Sequence, residues 1–77
     1  MEKGFLKGML ALHIIAAKET FGQDAIVVLN GGELGVYENN PTVIEYENKG
    51  YRLCDANMFG EGLRRMETLT FRKVNKG

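Results

Sequence analysis

Few side chains of this 77-residue chain could carry out covalent or acid–base chemistry. The sequence has one cysteine, Cys54, one histidine, His13, and no serine. A cysteine nucleophile needs a base within hydrogen-bonding distance and a third group that orients this base. Cys54 lies in a predicted strand beside Arg52 and Asp55, so we predict a half-buried structural thiol, because free cysteine behaves mainly as a small hydrophobic residue.

The other titratable candidates also favour structural roles. His13 lies on an apolar helix face, where we expect a backbone carbonyl or a tyrosine hydroxyl to bind its imidazole. One histidine and one cysteine match no zinc-ligand spacing, so no metal and no cofactor is predicted. Glu45 and Glu47 share a strand face, which is more typical of a solvated surface than of a catalytic pair. We therefore predict that the chain is not an enzyme.

Paired arginines form the strongest candidate for binding. Arg64 and Arg65 follow two glycines in the stretch NMFGEGLRRME, and Phe59 is available to stack. A flexible basic loop of this kind could hold a phosphate or an acidic partner. Glu61 and Glu67 flank the arginines, so a solvated connector is the alternative.

A glycine-rich stretch, VVLNGGELGVY, covers residues 27–37. A phosphate cradle needs a helix directly after its glycines, so that amide groups converge on the anion. The following residues alternate in polarity and reach Pro41, which indicates a strand. We therefore predict a tight hairpin turn at Asn30–Gly32. A two-residue loop and a three-residue loop would each pair apolar residues of the two strands that flank the turn. The sequence therefore leaves the register of this strand pair open.

An amphipathic helix is predicted over residues 4–20, ending at Gly22. Its apolar arc is wide, because Ile14 and Ile15 lie on opposite flanks, close to the polar stripe. We expect this helix to contact its own sheet and also a partner or a second copy of the chain.

Alternating polarity beyond Gly22 predicts strands at 25–29, 34–38, 42–47, 51–55 and 66–74. The first is apolar throughout, so we expect it to be central and covered on both faces. A turn at residues 47–50 would pair Glu45 with Arg52. The same register sets Tyr46 opposite Tyr51 and Ile44 opposite Leu53. On the last strand we expect Leu69 and Phe71 to face inward, and Thr68, Thr70 and Arg72 to face outward.

These elements predict a single α+β domain over residues 1–77, with the helix packed on a four- to five-stranded antiparallel meander. A helix followed by five short strands resembles the element order of Sm-like RNA-binding barrels, which implies RNA binding. A small Sm-like or SH3-like barrel is therefore the alternative fold. The helix is longer than that family usually shows, and GVYENNPTVIEYE lacks the Asp of its turn.

Composition limits the classes of partner. The formal net charge is zero, so no general attraction to nucleic acid or membrane is expected. Residues 24–50 are acidic and residues 51–77 are basic, which predicts charge pairing across the sheet or a polarised surface. The apolar run at 8–17 is too short to span a bilayer, and the run lacks a signal-cleavage motif. A lone thiol suits the cytoplasm.

The leading functional prediction is a small protein-interaction domain of the regulator or inhibitor type. Compact adaptors and phage-type inhibitors have this size, and a homodimer or higher oligomer would support the thin core. The interaction candidates are Ile14, Ile15, Tyr37, Phe59, Arg64, Arg65, Arg72 and Lys73. Nucleic-acid binding through the basic C-terminal part, including Lys76, is the second reading, and a small-ligand site between subunits is the third.

Overall fold

The computed structural model describes residues 2–74 as a three-stranded antiparallel sheet with two helices. The elements in chain order are α1 (Glu2–Phe21), β1 (Ile26–Leu29), α2 (Pro41–Asn48), β2 (Tyr51–Phe59) and β3 (Met66–Lys73). A short 3₁₀ turn, Gly62–Arg64, joins β2 to β3. The chain is a small α+β domain, and the barrel alternative is wrong because the sheet of residues 2–74 is open.

The last strand, β3, occupies the centre of the sheet. The strand order is β1-β3-β2, and both pairings are antiparallel. The prediction that the first strand is central is therefore wrong: β1 lies at an edge. Its residues are nevertheless apolar throughout because they contribute to clusters on both faces of the sheet.

The segment predicted as strand 42–47 is instead helix α2. Asn40 is the N-cap, and its side chain accepts hydrogen bonds from the backbone amides of Thr42 and Val43. Pro41 occupies the first turn, where its missing N–H costs nothing. These two capping residues outweigh the strand preference of the apolar residues that follow.

The turn at residues 47–50 ends α2 rather than closing a hairpin. Gly50 has φ +92°, and its N–H donates to the carbonyl of Glu47, as in a helix C-terminus. The predicted strand pairs Glu45–Arg52 and Ile44–Leu53 are therefore wrong, and Arg52 lies opposite Arg72 instead. Tyr46 and Tyr51 still meet, with ring centroids 6.1 Å apart, across the helix–strand connection.

The segment predicted as strand 34–38 belongs to a loop over residues 30–40. The hairpin prediction at Asn30–Gly32 is also wrong, because β1 pairs with β3 and the amide of Asn30 donates to the carbonyl of Glu67. The loop lies along the sheet instead of extending it. What holds the loop there is a cluster of buried polar groups described below.

The two faces of the sheet carry separate apolar clusters. One face carries a buried cluster of Ala17, Ala25 and Val27. Three residues of α1 pack against this cluster: Leu10, Ile14 and Phe21. On the other face Val43 of α2 packs with Leu69 and Phe71, which face the core as predicted. The prediction that Thr68 and Thr70 face outward is wrong, since both are buried in the central strand. Arg72 is exposed.

Candidate functional site

A buried carboxylate organises the loop over residues 30–40. Glu67 of β3 is 2% exposed and accepts three hydrogen bonds from this loop. Oε1 accepts from Asn30 Nδ2 at 2.8 Å and from the Gly35 amide at 2.9 Å. Oε2 accepts from the Tyr37 hydroxyl at 2.5 Å. These bonds compensate the cost of burying the charge and attach the loop to the central strand.

Two asparagines connect this carboxylate to α2. Asn30 Oδ1 accepts from the Gly32 amide at 2.7 Å and from Asn40 Nδ2 at 2.9 Å. Asn40 Nδ2 also donates to the Val36 carbonyl at 2.8 Å, while its Oδ1 caps α2. A Cβ at Gly32 would lie 2.7 Å from Asn40 Nδ2, so this position requires glycine. The glycine-rich stretch therefore packs against a polar network and forms no anion cradle.

The network sets the protonation states of its members. Burial raises the pKa of Glu67, but hydrogen bonds from Tyr37, the Gly35 amide and Asn30 outweigh it, and the pKa lies below its usual value. The pKa of Tyr37 is raised, first by its hydrogen bond to Glu67, then by burial and by the charges of Glu67 and Asp55. Tyr37 is therefore a neutral donor to an ionised carboxylate at neutral pH.

Exposed apolar side chains gather where the β2–β3 hairpin turns. We call this group the hairpin-end surface. Its members are Leu29, Val36, Met58, Leu63 and Met66, all with exposed side chains. Leu63 is fully exposed and Met58 is 51% exposed. Leu29 of β1 lies opposite Thr68 of β3. Met66, two residues before Thr68, is therefore the diagonal neighbour of Leu29 on the same face of the sheet.

On the other face, Met58 lies opposite Glu67, and a Cβ on Gly35 would be 3.6 Å from its Cε. Val36 follows Gly35 directly, so the loop brings this side chain to the same end of the sheet. Apolar groups thus surround the hairpin end on both faces. Arg64 and Arg65, both exposed, follow Leu63 and give this end a basic rim.

The hairpin turn has a defined backbone. Gly60 has φ +91°, and a Cβ there would lie 2.5 Å from the carbonyl oxygen of Arg64. The Arg64 amide donates to the carbonyl of Glu61 at 3.0 Å, which forms the 3₁₀ turn. The segment predicted as a flexible basic loop contains this 3₁₀ turn, which presents Leu63 to solvent.

The two predicted aromatic contact residues are engaged within the fold. Tyr37 bonds Glu67, and Phe59 is half-buried with its ring stacked on His13 at 6.2 Å between centroids. His13 is half-buried as well, and its ring contact with Phe59 comes in addition to any hydrogen bond predicted for its imidazole. Tyr37 and Phe59 are only half-exposed, whereas Arg64 and Arg65 are exposed.

The predicted basic residues fall at two separate places. Arg64 and Arg65 precede β3, whereas Arg72 and Lys73 lie at its far end, about 23 Å away for seven extended residues. Lys76 lies outside the described residues. Among the residues up to Val74, the basic side chains of the C-terminal part therefore do not form one patch.

The remaining candidate residues predicted from the sequence also lie in different surroundings. Ile14 packs against the buried Ala17 cluster, whereas Ile15 is exposed. Glu45 and Glu47 lie on α2, where Glu45 pairs with Lys49 at 3.2 Å, so they are not neighbours on a strand.

Cys54 and His13 are not brought together. Phe59, the ring partner of His13, lies five residues along β2 from Cys54, about 16 Å. The thiol is half-buried at an irregularity in the β2–β3 pairing, and Sγ donates to the Thr70 carbonyl at 3.4 Å. Burial raises the pKa of the Cys54 thiol, Asp55 raises it further, and Arg72 partly offsets this. Such a thiol is a poor nucleophile.

The sequence alone did not single out Leu63, Met58, Met66 or the role of Glu67. One signal was present for Leu63: a large apolar residue between Gly62 and Arg64 has no strand or helix period that would bury it. For Glu67 no local signal exists, because its partners are 30 or more residues away.

Comparison with known proteins returned no family model, curated protein or solved structure that matches this chain. In residues 2–74 no group of three or more histidine, cysteine or acidic side chains is placed to hold a metal ion. No helix in that part of the chain has the length and apolar character to cross a bilayer.

Proposed function

We propose that this chain is a small protein-interaction domain of the regulator or inhibitor type, which acts by binding a partner protein with its hairpin-end surface. The observation that carries the proposal is the full exposure of Leu63 on a turn whose backbone is tightly built. Exposed apolar side chains grouped at one end of a sheet, with a polar rim, are typical of a protein-binding site.

The chemistry of this surface favours one kind of partner. Met58 and Met66 lie on the strands before and after the turn that carries Leu63, and methionine side chains adapt to the shape of an apolar pocket. Arg65 lies at the rim, so an apolar pocket edged by carboxylates would complement the surface in both polarity and charge. We therefore propose a partner with an acidic rim around an apolar recess.

Nucleic-acid binding is less well supported. A sequence-tolerant nucleic-acid groove combines a continuous basic track with open aromatic faces. The basic residues lie at opposite ends of β3, and Phe59 stacks on His13. The free, weakly acidic Cys54 thiol is compatible with a reducing compartment, so we propose a cytoplasmic location.

The test is site-specific crosslinking in cells that produce the protein. A photoreactive phenylalanine analogue replaces Leu63, and the control places the analogue at Ile44, an exposed apolar residue on α2. We expect one discrete protein adduct from position 63 and none from position 44. Excess unlabelled wild-type chain should suppress the adduct, whereas an excess of the Leu63→Asp variant should not.

Leu63 is fully exposed, so Leu63→Asp keeps the fold, and circular dichroism verifies this. A nuclease-sensitive adduct would favour the nucleic-acid alternative and contradict the proposal. Equal suppression by the wild-type chain and the Leu63→Asp variant would also contradict it.

A further inference from the structure

Between residues 10 and 21, helix α1 has apolar side chains on two faces, and the sheet covers one of them. Leu10, Ile14, Ala17 and Phe21 contact the sheet cluster with the spacing 4-3-4. The same spacing recurs at Gly8, Leu12, Ile15 and Glu19, all exposed. At 100° per residue the two stripes are nearly opposite. We call the second one the outer stripe.

The outer stripe is exposed to an unusual degree for large aliphatic side chains. Leu12 is 69% exposed and Ile15 is 57% exposed. Leu12 and Ile15, three residues apart, have the spacing of neighbouring apolar positions in a seam between two helices, and Gly8 and Glu19 continue the 4-3-4 spacing at its two ends. An added Cβ at Gly8 would meet nothing within 4 Å, so a second helix can approach this end of the stripe closely.

The chain as a whole exposes more surface than a compact monomer of its mass. The accessible surface is 5676 Å². A compact monomer of this mass, 8.6 kDa, exposes about 4,700 Å². The excess of roughly 1,000 Å² is similar to the area that each partner buries in a standard interface, about 800 Å².

We infer that α1 pairs with α1 of a second copy of this chain, antiparallel, through the outer stripe. In this arrangement Leu12 lies against Ile15 of the second copy, and the pair occurs twice by symmetry. Glu19 then lies opposite the open Gly8. A parallel pair would instead bring the two Glu19 carboxylates together in the seam, which is unfavourable.

This dimer is independent of the hairpin-end surface, which lies on the sheet end and not on the outer stripe. The outer stripe and the hairpin-end surface share no residue, so a dimer would carry two copies of the residues of the proposed partner site. If the chain proves to be a monomer, the proposed partner binding is unaffected. If no partner binds the hairpin-end surface, the proposed dimer is likewise unaffected.

Sedimentation equilibrium of the full chain tests the proposal. We expect twice the 8.6 kDa mass at about 100 μM for the wild type. The double variant Leu12→Glu, Ile15→Glu should weaken dimerisation at least tenfold, because it places four carboxylates in the seam. Leu63→Glu is the matched control, an exposed leucine outside the stripe, and should remain dimeric. Helix content is checked by circular dichroism.

A disulfide experiment tests the orientation. Chains with Leu12→Cys and chains with Ile15→Cys, both also carrying Cys54→Ala, are mixed in equal amounts and oxidised. The antiparallel pair predicts that mixed disulfides exceed one half of all linked dimers. A share of one half or less would overturn the antiparallel seam. A monomeric wild type, or a double variant that dimerises as well as the wild type, would overturn the dimer itself.

Discussion

At the scale of single residues, Glu67 has the greatest influence on the structure of residues 30–40. Its carboxylate is almost fully buried, yet it stays ionised because three donors from one loop surround it. A charge buried in this way is stabilising only while all its partners are present. The loop and the central strand therefore depend on one another through this side chain.

The pH dependence of stability follows from this carboxylate. The folded-state pKa of Glu67 lies below its unfolded value, about 4.3. Its contribution is therefore fully present above about pH 4.3 and is lost as the pH falls through the folded-state pKa. We expect Glu67→Gln to reduce the free energy of unfolding at pH 7 by about 1.5–3 kcal/mol and to flatten its dependence on pH below 5.

Urea unfolding at pH 3 to 7 measures both effects. Glu61→Gln is the matched control, since Glu61 is exposed in the hairpin turn. It should change the free energy of unfolding by less than about 0.5 kcal/mol. An unchanged pH profile in Glu67→Gln would contradict the role assigned to the carboxylate.

At the scale of elements, short capping signals decide whether an apolar stretch becomes a helix or a strand. The segment TVIEYE alternates in polarity and contains strand-favouring residues, yet it is helical in α2. Asn40 and Pro41 start the helix, and Gly50 ends it with a positive φ. Val43 and Tyr46, three residues apart, then share the face that packs on the sheet, and Tyr46 stacks on Phe71 at 5.0 Å.

Removing the cap should therefore affect both the helix and the loop. We expect Asn40→Ala to reduce the free energy of unfolding by about 2–3 kcal/mol. The variant loses the cap on Thr42 and Val43, and it leaves the Asn30 side chain without one donor. Asn48→Ala, an exposed asparagine in the last turn of α2, is the control and should cost much less. Denaturant midpoints of the two variants measure the difference, and equal midpoints would contradict the capping role.

At the scale of the whole molecule, the chain exposes more surface than its mass requires. The radius of gyration is 12.7 Å, against about 11.5 Å for a compact chain of this length. The core is divided into two small clusters, one on each face of a three-stranded sheet. Association is the available means of adding buried area, because the chain has no second cysteine for a disulfide.

The dimer that we propose would couple folding to association, so it predicts a thermal stability that depends on protein concentration. Between about 2 and 200 μM the wild-type melting temperature should rise by about 5 °C, because mass action favours the folded dimer. Differential scanning fluorimetry over this series measures the rise. The Leu12→Glu, Ile15→Glu variant should show a constant melting temperature, and an equal rise in both chains would contradict the coupling.

The sequence by itself determined those elements whose signals are local. Three patterns can be recognised from a few neighbouring residues: the helical pattern near the N-terminus, the apolar run of β1 and the alternation that points Leu69 and Phe71 inward. The absence of serine follows directly from the composition. The α+β class follows from the three patterns. Their success has a common reason: helix and strand periods depend on neighbours in the chain.

Only the tertiary structure decided which strand is central, where Glu67 lies and which apolar residues stay uncovered. Asn40 and Pro41 carried a helix signal that competed with a strand pattern, and packing of Val43 and Tyr46 on the sheet supports the helix. Glu67 finds its donors 30 or more residues away, and Leu12 and Leu63 differ from core leucines only in what lies opposite them. Burial is a property of the assembled molecule, so the surface that we propose for binding could be located only after the strands were in place.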